Sequence, residues 1–80
     1  MIGVCGAGSW GTALATVLAR NTTDEILIWG REAEVLREIS EQHTNSKYLP
    51  NICLPTNIVG CPDIAELLEK VNDILIVSAT

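Results

Sequence analysis

The stretch VCGAGSWGTALA, residues 4–15, decides how the rest of the chain is read. Three glycines, Gly6, Gly8 and Gly11, fall between a short apolar start and an alanine-rich run. One tight turn does not need three glycines at that spacing. G-x-G-x-x-G alone is a weak signal, but it gains weight when it follows a strand, opens a helix and lies within a β-α-β unit of about 30 residues. MIGVC (1–5) reads as a buried strand, WGTALATVLA (10–19) has helical spacing and DEILIW (24–29) reads as a second strand, so all three conditions hold. In the helix, Leu14, Val17 and Leu18 are expected on one apolar face.

Working outward, REAEVLREISEQ (31–42) is an amphipathic helix with Val35, Leu36 and Ile39 on its inner face. Residues 43–57, HTNSKYLPNICLPTN, form a long loop with two prolines and three asparagines, a length more often functional than idle. IVGC (58–61) is a short strand. PDIAELLEK (62–70) is a third helix, with proline and an acid at its positive end. ILIVSA (74–79) is a fourth strand. Strands that alternate with helices and are nearly continuous in hydrophobicity predict an α/β fold: a doubly wound parallel sheet, β-α-β-α-β-α-β, of which this is a first half.

Composition narrows the partners. The 80 residues are 48% hydrophobic and 19% charged, with a formal net charge of −5. That excess of acid argues against a nucleic-acid partner. No apolar run is long enough to span a membrane, and no secretory signal opens the chain. Cys5, Cys53 and Cys61 make an odd count without a C-x-x-C, and His43 is the one histidine. Reduced thiols, no metal and a cytoplasmic location are therefore expected.

The glycine motif predicts chemistry as well as fold. Gly6 lets the chain turn off the strand, Gly8 removes a side chain where a pyrophosphate must approach, and Gly11 lets the helix close on the sheet. Unpaired amides at the helix start then hold phosphates without a lysine, so an acidic chain can bind an anionic dinucleotide. Ser9 is expected to offer its hydroxyl and amide to phosphate, and Trp10 to cover the cofactor. An NAD site places an acid at the end of the second strand to hold the ribose hydroxyls. Gly30 stands about there instead, followed by Arg31, which can accept a 2′-phosphate. NADP is therefore expected to be tolerated or preferred. Glu32 is a rival acid, read here as the start of the next helix.

GAGSWGTALA, then IWGR, then N-x-K-YLPN-x-x-LP from Asn45 to Pro55, then the DI-ELL-DILIVSA ending, closely resemble the N-terminal part of the NAD(P)-dependent glycerol-3-phosphate dehydrogenase family. The resemblance runs over essentially the whole chain. It implies a Rossmann domain with the spatial strand order 3-2-1-4, incomplete at residues 1–80, followed by a helical substrate domain. It also implies reversible hydride transfer between NAD(P)H and dihydroxyacetone phosphate, giving sn-glycerol 3-phosphate for phospholipid synthesis, in a homodimer. Carried over residue by residue, Gly6, Gly8, Ser9, Trp10 and Gly11 are similar to the pyrophosphate loop, Arg31 to the adenosine-side contact and Tyr48 to a tyrosine bordering the cofactor. The cofactor is NADP or NAD. The family's catalytic lysine lies beyond residue 80, and neither Lys47, read as solvated, nor Lys70 matches it, so no catalytic residue is assigned and the chain by itself is expected to be inactive. His43 is too isolated for a catalytic base. Cys5 and the V-S-A-T ending depart from the family pattern. The open edge of the fourth strand is expected to pair with a second copy. Two other readings fit the glycine motif: another two-domain dehydrogenase of hydroxyacid or ketopantoate type, and a non-catalytic NAD(P)-sensing module.

Overall fold

The computed structural model describes residues 1–76. Seven elements follow in order: β1 (Ile2–Cys5), α1 (Ser9–Arg20), β2 (Ile26–Trp29), α2 (Ala33–Gln42), β3 (Ile58–Gly60), α3 (Ile64–Lys70) and β4 (Asp73–Ile76). The four strands form one parallel sheet in the order β3-β2-β1-β4. Val4 lies opposite Ile28 on one side and Leu75 on the other. Fold class and strand order are thus as expected. The expected continuation of the fourth strand through Val77, Ser78 and Ala79, and with it the V-S-A-T ending, lies outside the described residues.

Strand alternation puts helices on both faces. Val4, Ile26, Ile28 and Ile58 meet Val35, Leu36 and Ile39 of α2 and the alanines of α1 in one cluster. Leu27 meets Leu67 and Cys61 on the opposite face, with Cys5 and Trp29 at its edge. Burying the eight valine, leucine and isoleucine side chains of the first cluster, Leu54 included, at about 1.5–3 kcal/mol each is the main gain holding so short a chain together. Helix α3 begins at Ile64, because Asp63 caps it: its side chain accepts from the Ala65 amide at 2.9 Å.

The inner face of α1 differs from expectation. Its buried residues are Gly11, Thr12, Ala15, Thr16 and Ala19. Leu14 and Val17 are 38% and 56% exposed. The cause is the closeness of the helix to the glycine turn: a Cβ on Gly11 would fall on the Gly6 carbonyl oxygen. At that separation only small side chains fit against the sheet, so Leu14 and Val17 turn outward, while Leu18 is half-buried against the core as expected. Strand β2 also starts later than expected, at Ile26, with Asp24 and Glu25 before it.

The long loop is fixed rather than loose. Asn45 is fully buried; its side-chain amide donates to the Ala7 carbonyl oxygen at 3.1 Å and the Thr12 hydroxyl at 2.8 Å. Asn57 donates to the carbonyl oxygens of Ala19, Thr22 and Asp24, closing the α1–β2 turn. Glu38 holds the middle of the loop, accepting from the Thr44 hydroxyl at 2.6 Å and from the Ser46 amide at 2.8 Å.

Candidate functional site

The strand order runs one way from β1 through β2 to β3 and the other way from β1 to β4. Ligands in open α/β sheets bind outside the carboxyl ends of the strands at such a reversal. A cleft of about 1000 Å³ opens there, reaching Cys5 at the end of β1, Trp29 at the end of β2 and Ile74 of β4.

Its floor is the glycine turn. The Gly6 amide donates to the Trp29 carbonyl oxygen at 2.7 Å, the last link before the chain leaves the sheet. Gly6 then takes φ 131°, a conformation that side chains disfavour. Gly8 is different: at φ −77°, ψ −167° it has an extended backbone open to any residue. Among the described residues the structure gives no contact against a Cβ added at Gly8. Backbone conformation thus requires glycine at Gly6 and packing requires it at Gly11, whereas the described residues give no such reason at Gly8.

Helix α1 opens into the cleft at Ser9, Trp10 and Gly11. No side chain caps this N-terminus and no acid stands in its first turn. The other two helices differ: α2 has Glu34 in its first turn and α3 has its Asp63 cap and Glu66. A helix start leaves amides without intrahelical partners and carries the positive end of the macrodipole. At α1 both face the cleft uncompensated, an arrangement suited to an anion.

The other site residues expected from sequence fall around this floor. Trp10 stands at the mouth, 76% exposed, so it is no core aromatic. The Ser9 hydroxyl donates to the Tyr48 carbonyl oxygen at 2.6 Å. Its proton is thus spent within the chain, leaving the backbone amide as the donor Ser9 can present. Arg31, Glu32 and Tyr48 line the far wall, which brings all seven candidate residues to one cleft. Cys5 also lines it, with its thiol pushed up by burial and so protonated at neutral pH.

Lys47 corrects the sequence reading: it is not merely solvated. Its ammonium is paired with the Glu32 carboxylate, which also accepts from the Tyr48 hydroxyl. The Lys47 bond first, then the Tyr48 bond, holds the Glu32 carboxyl below its ordinary value. The Tyr48 phenol is pushed up in turn by its bond to Glu32. Asn45 and Thr12, which staple the loop to the glycine turn, were also missed. Hydrophobic periodicity gives no signal for a buried polar residue in a loop. His43 ends α2 in a left-handed conformation, away from the cleft lining, and its Nδ1 is buried without a hydrogen bond.

Residues 1–80 match the family described as NAD-dependent glycerol-3-phosphate dehydrogenase N-terminus. A Bacillus anthracis glycerol-3-phosphate dehydrogenase [NAD(P)+] is 53% identical over 79 residues, covering 99% of this chain and 23% of the relative. The crystal structure of glycerol-3-phosphate dehydrogenase from Coxiella burnetii superposes with a TM-score of 0.82 at 43% identity, over 94% of this chain and 23% of that one. A Saccharomyces cerevisiae glycerol-3-phosphate dehydrogenase structure gives a TM-score of 0.84 at 32% identity, over 95% of this chain and 25% of that one. The chain thus spans about a quarter of the length of these relatives. With the glycine turn, the strand order and a match over every residue in agreement, the chain belongs to the NAD-dependent glycerol-3-phosphate dehydrogenase N-terminal family.

Proposed function

We propose that the chain is the coenzyme-binding part of an NAD(P)-dependent glycerol-3-phosphate dehydrogenase. In that reading, hydride passes reversibly between NAD(P)H and dihydroxyacetone phosphate, yielding sn-glycerol 3-phosphate for phospholipid synthesis. The observation that carries it is the uncapped start of α1 opening into the cleft, beside a Gly8 for which the described residues give no conformational or packing reason.

The residues present fit a dinucleotide. The amides of Ser9, Trp10 and Gly11 hold the pyrophosphate, and the bare Gly8 lets it come close. Gly6 sets the turn that aims them. Trp10 covers the bound cofactor, Tyr48 forms its side wall, and Arg31 meets the adenosine end, where its guanidinium suits a 2′-phosphate. When bound, the nicotinamide supplies the hydride. The catalytic lysine and the substrate-holding residues belong to the remainder of the enzyme, a helical substrate domain beyond residue 80. The 80 residues are the N-terminal NAD(P)-binding domain in part, without a catalytic group of their own.

The partner is a small-molecule substrate. A net charge of −5 speaks against nucleic acid. Among the described residues no helix is long and apolar enough to cross a membrane. A cytoplasmic homodimer completes the proposal.

The test is substrate-dependent coenzyme oxidation by the full-length protein. NADPH or NADH should be consumed when dihydroxyacetone phosphate is added. Consumption with a 2-keto acid or ketopantoate instead would favour the other two-domain dehydrogenases, and tight coenzyme binding with no turnover on any of them would favour a sensing module.

A further inference from the structure

Among the described residues lining the cleft there is one acid, Glu32, and one base, Arg31. They are neighbours just past the end of β2, where an NAD site holds the ribose hydroxyls with a carboxylate. Gly30, one residue earlier, has no room for that acid: an added Cβ would stand 2.7 Å from the Ala7 Cβ and 3.2 Å from the Ala7 nitrogen. Glu32 is thus the group available for the ribose.

Its carboxylate is already engaged. Lys47 donates to Oε2 and Tyr48 donates to Oε1. Both donors come from the loop between α2 and β3, and that loop is anchored to the glycine turn by Asn45 and by the Ser9–Tyr48 bond. The Lys47 Nζ also stands 5.4 Å from the Tyr48 ring centroid, so the three side chains form one cluster. Lys47 is not itself among the residues lining the cleft; whatever it does there it does through Glu32.

We propose that Lys47 is a positioning residue that sets coenzyme preference. By pairing with Glu32 it takes up the charge and acceptor capacity of the one acid beside the adenosine end, leaving the Arg31 guanidinium uncompensated toward a 2′-phosphate. The proposal rests on the cleft being an NAD(P) site. Without Lys47, the Glu32 anion is free to accept from a 2′-hydroxyl and to repel a phosphate in its place. Lys47 thus favours the phosphorylated coenzyme without touching it.

The experiment is calorimetric titration of the full-length enzyme with two ligands that cannot transfer hydride, ADP-ribose and 2′-phospho-ADP-ribose. Lys47→Gln should lower the preference for the phosphorylated ligand by about tenfold, the scale of one hydrogen bond to a charged group. Lys47→Arg should keep it. Adding Glu32→Gln to Lys47→Gln should restore it, which a merely structural role for Lys47 would not do. Glu32→Gln alone, a second variant should Lys47→Gln fail to fold, should leave the preference at least as high as in the native enzyme. An unchanged ratio of affinities in folded Lys47→Gln, no restoration in the double variant, or a lowered preference in Glu32→Gln, would overturn the proposal while leaving the cofactor site intact. Failure of the native enzyme to bind either ligand would instead overturn the reading of the cleft itself.

Discussion

The side-chain amide of Asn45 donates to the Thr12 hydroxyl at 2.8 Å, across 33 residues of chain and with both side chains fully buried. The same amide reaches the Ala7 carbonyl oxygen. One residue thereby joins the long loop to the turn that shapes the cleft floor. Asn45→Ala removes the donor, leaving the buried Thr12 hydroxyl oxygen without an incoming bond and the Ala7 carbonyl oxygen with the Thr12 hydroxyl alone, a loss of about 1–3 kcal/mol. Urea unfolding followed by circular dichroism should show a lowered midpoint with an unchanged slope; a midpoint equal to that of the native protein would mean that water replaces the bond without cost.

Gly8 and Gly11 should separate binding from folding. Gly11→Ala puts a methyl group onto the Gly6 carbonyl oxygen and should destabilise by at least the 1–3 kcal/mol of ordinary overpacking. Gly8→Ala places the same group on an extended backbone and should change stability by no more than about 0.5 kcal/mol. In the full-length enzyme Gly8→Ala should nonetheless weaken NADPH by about tenfold or more, because in the proposed site its Cβ would stand where the pyrophosphate approaches. Thermal melts and NADPH fluorescence titration of the two variants check both halves.

The face of α1 that meets the sheet is the one with small side chains. Ala15→Leu should therefore cost about 1–3 kcal/mol by overpacking against β1 and β2. Val17→Ser, on the outward side, should stay within about 0.5 kcal/mol of native. A reversed order in chemical denaturation would mean that the helix is rotated from the orientation described.

Two carboxyls make the fold acid-sensitive. Glu32 and Glu38 both titrate below their ordinary value of 4.5, Glu32 chiefly because of Lys47 and Glu38 chiefly because of the Thr44 hydroxyl. The folded chain then binds fewer protons than the unfolded one around that pH. Their contribution is complete above about pH 4.5 and is lost as pH falls through the folded values. Glu38→Gln should flatten the acid limb of the stability–pH curve, measured as urea midpoints across that range. At the alkaline end, the Tyr48 bond to Glu32 persists to above pH 10.0, because the phenol is raised from that value.

Among the described residues β4 is paired on one side only, with β1, and an edge left unpaired invites pairing. Ile74 of β4 is 44% exposed at one end of the sheet. The 80-residue chain on its own is expected to self-associate through this edge. Sedimentation at increasing concentration should show a rising average mass, and a constant monomer mass would refute the expectation.

Much of this was legible along the chain because it depends on near neighbours. The spacing of Gly6, Gly8 and Gly11 after a short apolar run announces the turn, and the alternation of apolar strands with amphipathic helices announces the parallel sheet, whose order came from the family resemblance. The inner face of α1 was not legible. Hydrophobicity alone puts Leu14 and Val17 inside, whereas the clearance above the Gly6 carbonyl oxygen admits Ala15 and Thr16 instead. Nor could the chain disclose the roles of Asn45 and Lys47. Each acts on a partner at the other end of a loop, and hydrogen-bond partners across 38 or 15 residues leave no local pattern.

The amino-acid order by itself thus determined the elements, their parallel alternation and the glycine turn, since backbone conformation and hydrophobic period are properties of adjacent residues. The tertiary structure alone decided which face of α1 is inside, where the Ser9 proton goes and which residue pairs with the acid at the cleft. Those outcomes depend on distances between distant segments, and such distances exist only after the chain has closed on itself.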